Sequence, residues 1–368
     1  MSSAEETLGS PGDPADAEQS LRPVRGLVLR TPGGGLSVRV QLRAVAVSAA
    51  LLCLLVLVMA VTLTTGDFEL TVPETLRALA GHGTGGADFI INTVRLPRLL
   101  TALFVGAALA VSGAILQSLS GNPLGSPDII GFTNGAATGA LLTIIVLHGS
   151  MTQIALGALV GGLATAAAVY LLVFSRGLLG FRLVVVGIGV SALLLAVNQY
   201  LITRASLQEA LEAQAWLIGS LNGRGWDQAN GTGIAIAILF PIAFRYARRM
   251  SLLEMGNDTA RALGVNAGRS RLVLLVVSVA LAAFATAATG PIWFVALAAP
   301  QLARGLVRSS SPGLVPAALM GALLLAASDL AVQRIFSPAI LPVGTATGTI
   351  GGLYLVWLLV TESRKSRA

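Results

Sequence analysis

Of the 368 residues, 55% are hydrophobic and only 11% are charged, well below the roughly 25% charged residues of an ordinary soluble domain. That balance places the chain in a bilayer and excludes a soluble enzyme. The net charge of +7 does not imply nucleic acid as a partner, because membrane topology accounts for most of it.

The first forty-two residues, with "SAEETLGSPGDPADAEQS" and "TPGGG", are polar and rich in Gly, Pro and Ser, the composition of a disordered tail. No apolar core follows a short basic start there, so no cleavable signal peptide is expected. The next run, "AVAVSAALLCLLVLVMAVTL", is long enough to remain as a span, since about 20 apolar residues cross about 30 Å of hydrocarbon. About ten such stretches follow one another, near 43–65, 99–119, 131–149, 151–174, 183–203, 231–248, 271–288, 291–306, 314–333 and 342–361. The predicted fold is therefore an all-α polytopic membrane protein, with a transmembrane domain over 43–361 and a short tail over 362–368. "GAALAVSGA" and "GALVGGLATAAA" supply the small residues that let helix backbones approach where lipid gives no hydrophobic drive.

Orientation follows from the arginines. With a cytoplasmic N-terminus, eighteen of the 24 basic residues face inward, and only Arg77, Arg95, Arg98, Arg204, Arg224 and Arg334 face outward. That excess is the positive-inside pattern of a multi-pass protein of the cytoplasmic membrane with both termini inside.

The residues that are missing narrow the function. The one lysine, Lys365, lies in the C-terminal tail, whereas a P-loop needs a lysine closing a Gly-rich turn to reach the outer phosphates. The chain is thus expected to hold no cofactor, and if ATP and Mg drive it they are bound elsewhere. Cys53 is alone and His82 and His148 are isolated, so no metal site is expected. Only Asp329 falls within a predicted span, where a secondary transporter usually carries several ionisable groups for ion coupling.

Four polar islands interrupt the apolar runs. In "RLPR", Arg95 and Arg98 are three residues apart with Pro97 at a helix-start position, so both guanidiniums can emerge on one side, toward lipid phosphates or a partner. "NPLGSP" (122–127) is Asn-Pro turn chemistry between two spans. "NQY" (198–200) places Asn198 and Gln199 in a bundle, where amides commonly bond to a neighbouring helix. "MGNDTARALGVN" (255–266), flanked by arginines, reads as a short helix over about 257–264. In it Asn257 serves as N-cap, Asp258 suits the dipole and Gly264 stands just past the end. Such a helix is too short to stand alone in water and needs a surface.

These islands, with "RLPRLLTALFVGAALAVSGAILQSLSGNPLGSPDIIGFTNGAATGA", "VVVGIGVSALL", "AWLIGSLNGRGW", "GPIWFVALAAPQLAR" and "PVGTATGTIGG" in this order, resemble the permease subunits of type II ABC importers for iron–siderophore chelates, haem and cobalamin. The resemblance implies a non-catalytic subunit of an ATP-driven importer, with a ferric siderophore as the first expectation for cargo and haem or cobalamin as the alternative. An ion-gradient-driven secondary transporter is the competing class. The expected partners are a second, paralogous permease rather than an identical copy, two ATPase subunits and an extracytoplasmic binding protein, with membrane lipid around them.

The resemblance also assigns residues. Asn257, Asp258, Arg261, Ala262, Leu263 and Gly264 would form the coupling helix against the ATPase, and Arg95 and Arg98 would meet acidic residues of the binding protein. A further docking arginine would fall at Gln333, but the basic residue here is Arg334. Asn198 or Gln199 would lie along the translocation path. Two departures from the pattern stand out: Gln301 where many relatives carry His, and Ile340 where many carry Glu.

Overall fold

The computed structural model describes residues 27–30, 37–66, 68–128, 130–174, 180–308, 313–336 and 341–365. The chain divides into a unit of residues 1–46 and one of residues 47–368. In the first, β1 (Leu27–Arg30) and β2 (Ser37–Val40) pair antiparallel, Leu27 opposite Val40 and Arg30 opposite Ser37. This hairpin lies within the stretch that composition marks as disordered. Its signal is a pair of short β-branched and apolar runs, "LVLR" and "SVRV", around a Gly-rich connection.

Helices make up the rest: α1 (Leu42–Thr64), α2 (Val72–Leu79), α3 (Gly85–Phe89), a π-helical segment (Ile90–Arg95), α4 (Leu96–Ser120), α5 (Phe132–Ile145), α6 (Met151–Phe174), α7 (Gly180–Arg204), α8 (Leu207–Ile218), α9 (Trp226–Glu254), α10 (Asn257–Ala262), α11 (Ala267–Thr289), α12 (Val295–Val307), α13 (Leu314–Ile335) and α14 (Val343–Lys365). Among the described residues, seven helical stretches are long and apolar enough to cross a membrane, and three shorter apolar ones lie in α5, α12 and α14. Together they match the ten predicted spans one for one.

The second span is longer than predicted. Helix runs without interruption from Gly85 to Ser120, 36 residues, which at about 1.5 Å per residue is near 54 Å. Pro97 does sit at the start of an α-helical segment, but the chain is already helical before it. The π register bonds the Leu96 N–H to the Ile91 carbonyl, five residues back. The next bond in that register would run from residue 97 to Asn92, and proline has no N–H to give. The indole Nε1 of Trp226 donates to the Asn92 carbonyl instead, at 2.8 Å.

Two short helices absent from the predicted spans, α2 and α8, each open on a capping box. Thr71 with Glu74, and Ser206 with Glu209, exchange side-chain and backbone hydrogen bonds across three residues, satisfying N–H groups that a helix start leaves orphaned.

The core forms around α4, whose apolar window is 78% buried against 11% for α1. It packs on α9, α11, α12 and α13. These contacts are backbone to backbone at two glycines: a Cβ on Gly106 would overlap the Gly321 carbonyl of α13, and one on Gly113 would overlap the Ala296 carbonyl of α12. The pair α5–α6 meets in the same way, with Gly135 and Gly139 against Gly161 and Gly157. Ser112 and Ser278 lock α4 to α11 by mutual hydrogen bonds, 2.8 and 2.9 Å, from each hydroxyl to the other's carbonyl. Overpacking a tight contact costs about 1–3 kcal/mol. Gly113→Ala is therefore expected to lower the thermal unfolding midpoint in detergent. Gly231→Ala, on α9 with open space around it, should leave the midpoint unchanged or raise it.

Candidate functional site: two polar ends of a helical bundle

At the end of α9 the chain turns through Met255 and Gly256 into α10. The sequence pattern places Asn257 at the N-cap. The structure corrects it: Gly256 holds that position at φ +102° with no side-chain cap, and Asn257 is already the first helical residue. Only glycine tolerates that backbone readily, so the sharp exit from α9 takes the capping position from the better capping side chain.

The other end of α10 is as predicted. Gly264 sits at φ +77°, and its N–H bonds the Arg261 carbonyl while the Val265 N–H bonds that of Ala260, both at 2.9 Å. This is the Schellman pattern, with its customary apolar contact: Ala260 and Val265, 0% and 9% exposed, join the bundle core beside Met250 and Leu253. Asn266 then caps α11, its Oδ1 accepting from the Arg269 N–H at 3.0 Å.

The short helix thus rests one face on its own bundle and turns the other outward. Asp258, Arg261, Ala262, Leu263 and Gly264 are exposed, while the Asn257 side chain is not among the described ones. Met255 and Leu263 are 64% and 58% exposed next to a first-turn acid and a last-turn base that complement the helix dipole. An apolar pair in a charged rim is the anatomy of a docking face.

Arg98 and Asp329, 231 residues apart in sequence, form a bidentate pair between α4 and α13, Nε to Oδ2 at 2.9 Å and Nη2 to Oδ1 at 2.7 Å. Their side chains are 21% and 4% exposed. Gln333 adds a third donor to the same carboxylate at 2.7 Å, which gives a role to the residue standing where the family pattern has arginine. Arg95 points elsewhere, to the carbonyls of Leu63 (Nη1, 2.7 Å) and Phe68 (Nη2, 2.6 Å). Of the three arginines considered for docking, Arg334 is the exposed one, while Arg95 and Arg98 are engaged within the chain. Removing one partner of a buried ion pair costs about 3–5 kcal/mol, whereas replacing both with apolar residues is often neutral. Arg98→Met is expected to destabilise the protein on that scale, and adding Asp329→Leu should recover most of the loss in the thermal midpoint.

Asn198 is 3% exposed. Its Oδ1 accepts from Thr138 Oγ1 at 2.7 Å and its Nδ2 donates to the Asn134 carbonyl at 3.4 Å. One turn away Asn134 Nδ2 donates to Ser191 Oγ at 2.6 Å. This ladder joins α5 to α7 through the buried Asn198, whereas Gln199 is exposed.

The "NPLGSPD" turn is stitched to α12. Asn122 closes it through its Oδ1, which accepts from the Leu124 N–H at 2.9 Å. Gln301 Nε2 donates to the Pro123 carbonyl at 2.6 Å, and Gln117 Nε2 to that of Leu297 at 3.1 Å. The departure at Gln301 is thus a structural donor, while Ile340 lies outside the described residues. Asp128, 9% exposed, accepts from Thr133 Oγ1 at 2.7 Å and from the backbone N–H of Phe294, a residue in the left-handed region at φ +68°.

Burial pushes the Asp128 carboxyl up to about 6, and its two hydrogen bonds only partly offset the desolvation. A raised carboxyl pKa means that the folded state binds the proton more tightly than the unfolded one. Stability from this group is full at low pH and is lost as pH rises through about 6. The thermal midpoint should therefore fall as pH rises from about 4 to about 6 and level off above that, and Asp128→Asn should flatten that part of the profile.

A helical bundle of ten apolar stretches with an exposed short helix at one end is the build of a membrane permease. Residues 53–361 match the FecCD transport family, and the chain belongs to that family. It is 48% identical over 303 residues to the ferric enterobactin transport system permease protein FepG of Escherichia coli, covering 82% of this chain and 92% of that one. The achromobactin transport system permease protein CbrC of Dickeya dadantii is 37% identical, with 86% and 91% covered. The Fe(3+) dicitrate transport system permease protein FecD of E. coli is also 37% identical, with 78% and 91% covered. Among solved structures, an inward-facing conformation of a metal-chelate type ABC transporter superposes with a TM-score of 0.78 at 30% identity, covering 86% of this chain and 99% of that one. The chain is thus a multi-pass membrane permease of the FecCD transport family.

Proposed function

We propose that this permease forms half of the membrane channel of an ATP-driven importer that brings a ferric siderophore across the cytoplasmic membrane. α10 is the coupling helix. It docks Met255, Leu263 and its charged rim into a groove of an ATPase subunit that binds ATP and Mg, and both chain termini lie on that cytoplasmic side. A second, related permease completes the channel, and a binding protein delivers cargo at the opposite end, where Arg334 offers an exposed charge. Gln199 faces the path.

The observation that carries this reading is the build of α10: tied to the core through Ala260 and Val265, it presents an otherwise unexplained apolar, charged-rimmed face, so force on it reaches the spans. Ion-gradient coupling is disfavoured because Asp329, the acid predicted within a span, is neutralised by Arg98. The cargo class rests on the ferric chelates in the relatives' names. Ala262→Trp places a large ring on the exposed face without touching the core. It is expected to abolish binding-protein-stimulated ATPase activity in the reconstituted complex while leaving the permease inserted and its thermal midpoint unchanged. Unaltered transport would contradict the docking role of α10.

A further inference from the structure

The connection from α8 to α9, residues 219–225, is wedged against two other chain breaks. The Ser220 N–H bonds the Thr289 carbonyl at the end of α11 at 2.8 Å, and the Gly344 N–H in the first turn of α14 bonds the Gly219 carbonyl at 3.1 Å. The contacts are too close for side chains: a Cβ on Gly219 would overlap the Pro291 carbonyl, and one on Gly344 would overlap that of Ile218. Arg224 follows four residues after Ser220 in this connection, between Gly223 and Gly225.

The Arg224 guanidinium is part-buried, and its partners are poor. Nε donates to the Ser220 carbonyl at 3.2 Å and Nη1 to the thioether of Met151 at 3.4 Å. A thioether is a weak acceptor, and five N–H donors are available. Burial draws its pKa down, with no carboxylate opposing that shift. Glu209, on the adjoining helix α8, is already engaged by Ser206 (2.8 and 2.9 Å) and by His148 (3.1 Å). The contrast with Arg98, matched by a buried aspartate, is direct. Charges taken out of water are ordinarily paired, and a planar guanidinium fork is built to grip two oxygens of an anion.

We infer that Arg224 is a binding residue for the cargo, receiving an anionic oxygen of the ferric chelate, carboxylate or catecholate, as the chelate enters the channel. The inference rests on the importer reading above. The same chemistry is available from a carboxylate of the docked binding protein or from a lipid phosphate. The chelate is favoured because the guanidinium is part-buried, and its connection is pinned at Gly219 and Ser220 to the end of α11 and the first turn of α14, whereas Arg334 is exposed.

The test uses the complete importer in proteoliposomes, with ferric enterobactin and ferric dicitrate as probes. ATP-dependent uptake rates, the Kd for the loaded binding protein and the thermal midpoint are measured for wild type, Arg224→Gln and Arg224→Lys. A charge-assisted hydrogen bond is worth roughly a tenfold effect. Arg224→Gln is therefore expected to slow uptake by about that factor at unchanged docking Kd, with and without phosphatidylglycerol in the vesicles, and Arg224→Lys should recover part of the loss.

Uptake by Arg224→Gln equal to wild type would overturn the inference. So would a parallel loss of docking affinity, which would assign the anion to the binding protein, or a defect confined to phosphatidylglycerol vesicles, which would assign it to lipid. Equal loss in both variants with a lowered thermal midpoint would make the role structural and likewise overturn it. If wild type takes up neither chelate with ATP, the importer reading fails first and this inference falls with it.

Discussion

Inside a bilayer, helices gain nothing from hiding apolar side chains from one another, because lipid is equally apolar, and association depends on close packing and on hydrogen bonds. The glycine crossings of α4 supply that packing. With Gly106 on Gly321 and Gly113 on Ala296, the backbones of α4, α13 and α12 lie in direct contact. The placement of everything else follows from them. Asp329 reaches Arg98 because α13 is held against α4, and Gln117 reaches the Leu297 carbonyl because α12 is. The core into which Ala260 inserts includes residues of these same helices, which gives the exposed face of α10 a firm base.

The second constraint is that polar groups out of water must find partners within the protein. Each polar island meets it locally. The π segment leaves the Asn92 carbonyl without its usual donor, and Trp226 supplies one. Asn198 and Asn134 pair off between α5 and α7. The acid and base that sequence placed at one end, Asp329 and Arg98, neutralise each other. Among the groups outside these arrangements are the exposed face of α10 and the part-buried Arg224, with a carbonyl and a thioether for company.

Much of this architecture is readable from the sequence, because an apolar run of about 20 residues has few alternatives. All ten spans were visible, and so was Gly264 as the end of α10. Two capping boxes, T-x-x-E at Thr71 and S-x-x-E at Ser206, announce α2 and α8 in plain residues, beside a much stronger hydropathy signal from the spans. Other features had no local signature. The Arg98–Asp329 pair joins positions 231 residues apart, and nothing near "RLPR" shows that its arginines turn inward. The choice of Gly256 over Asn257 as the cap depends on the direction in which α9 delivers the chain. The donor that satisfies the Asn92 carbonyl in the π segment before Pro97 is a tryptophan from another helix.

The central claim is that this permease supplies the path and a mechanical handle while its partners supply the energy. Purification from its native host under mild detergent, followed by mass spectrometry of every chain present in stoichiometric amount, tests that claim most directly. The account predicts an ATPase together with a second, related permease. Repeated mild purifications that recover the permease with no ATPase would contradict it and leave the exposed face of α10 without its proposed function.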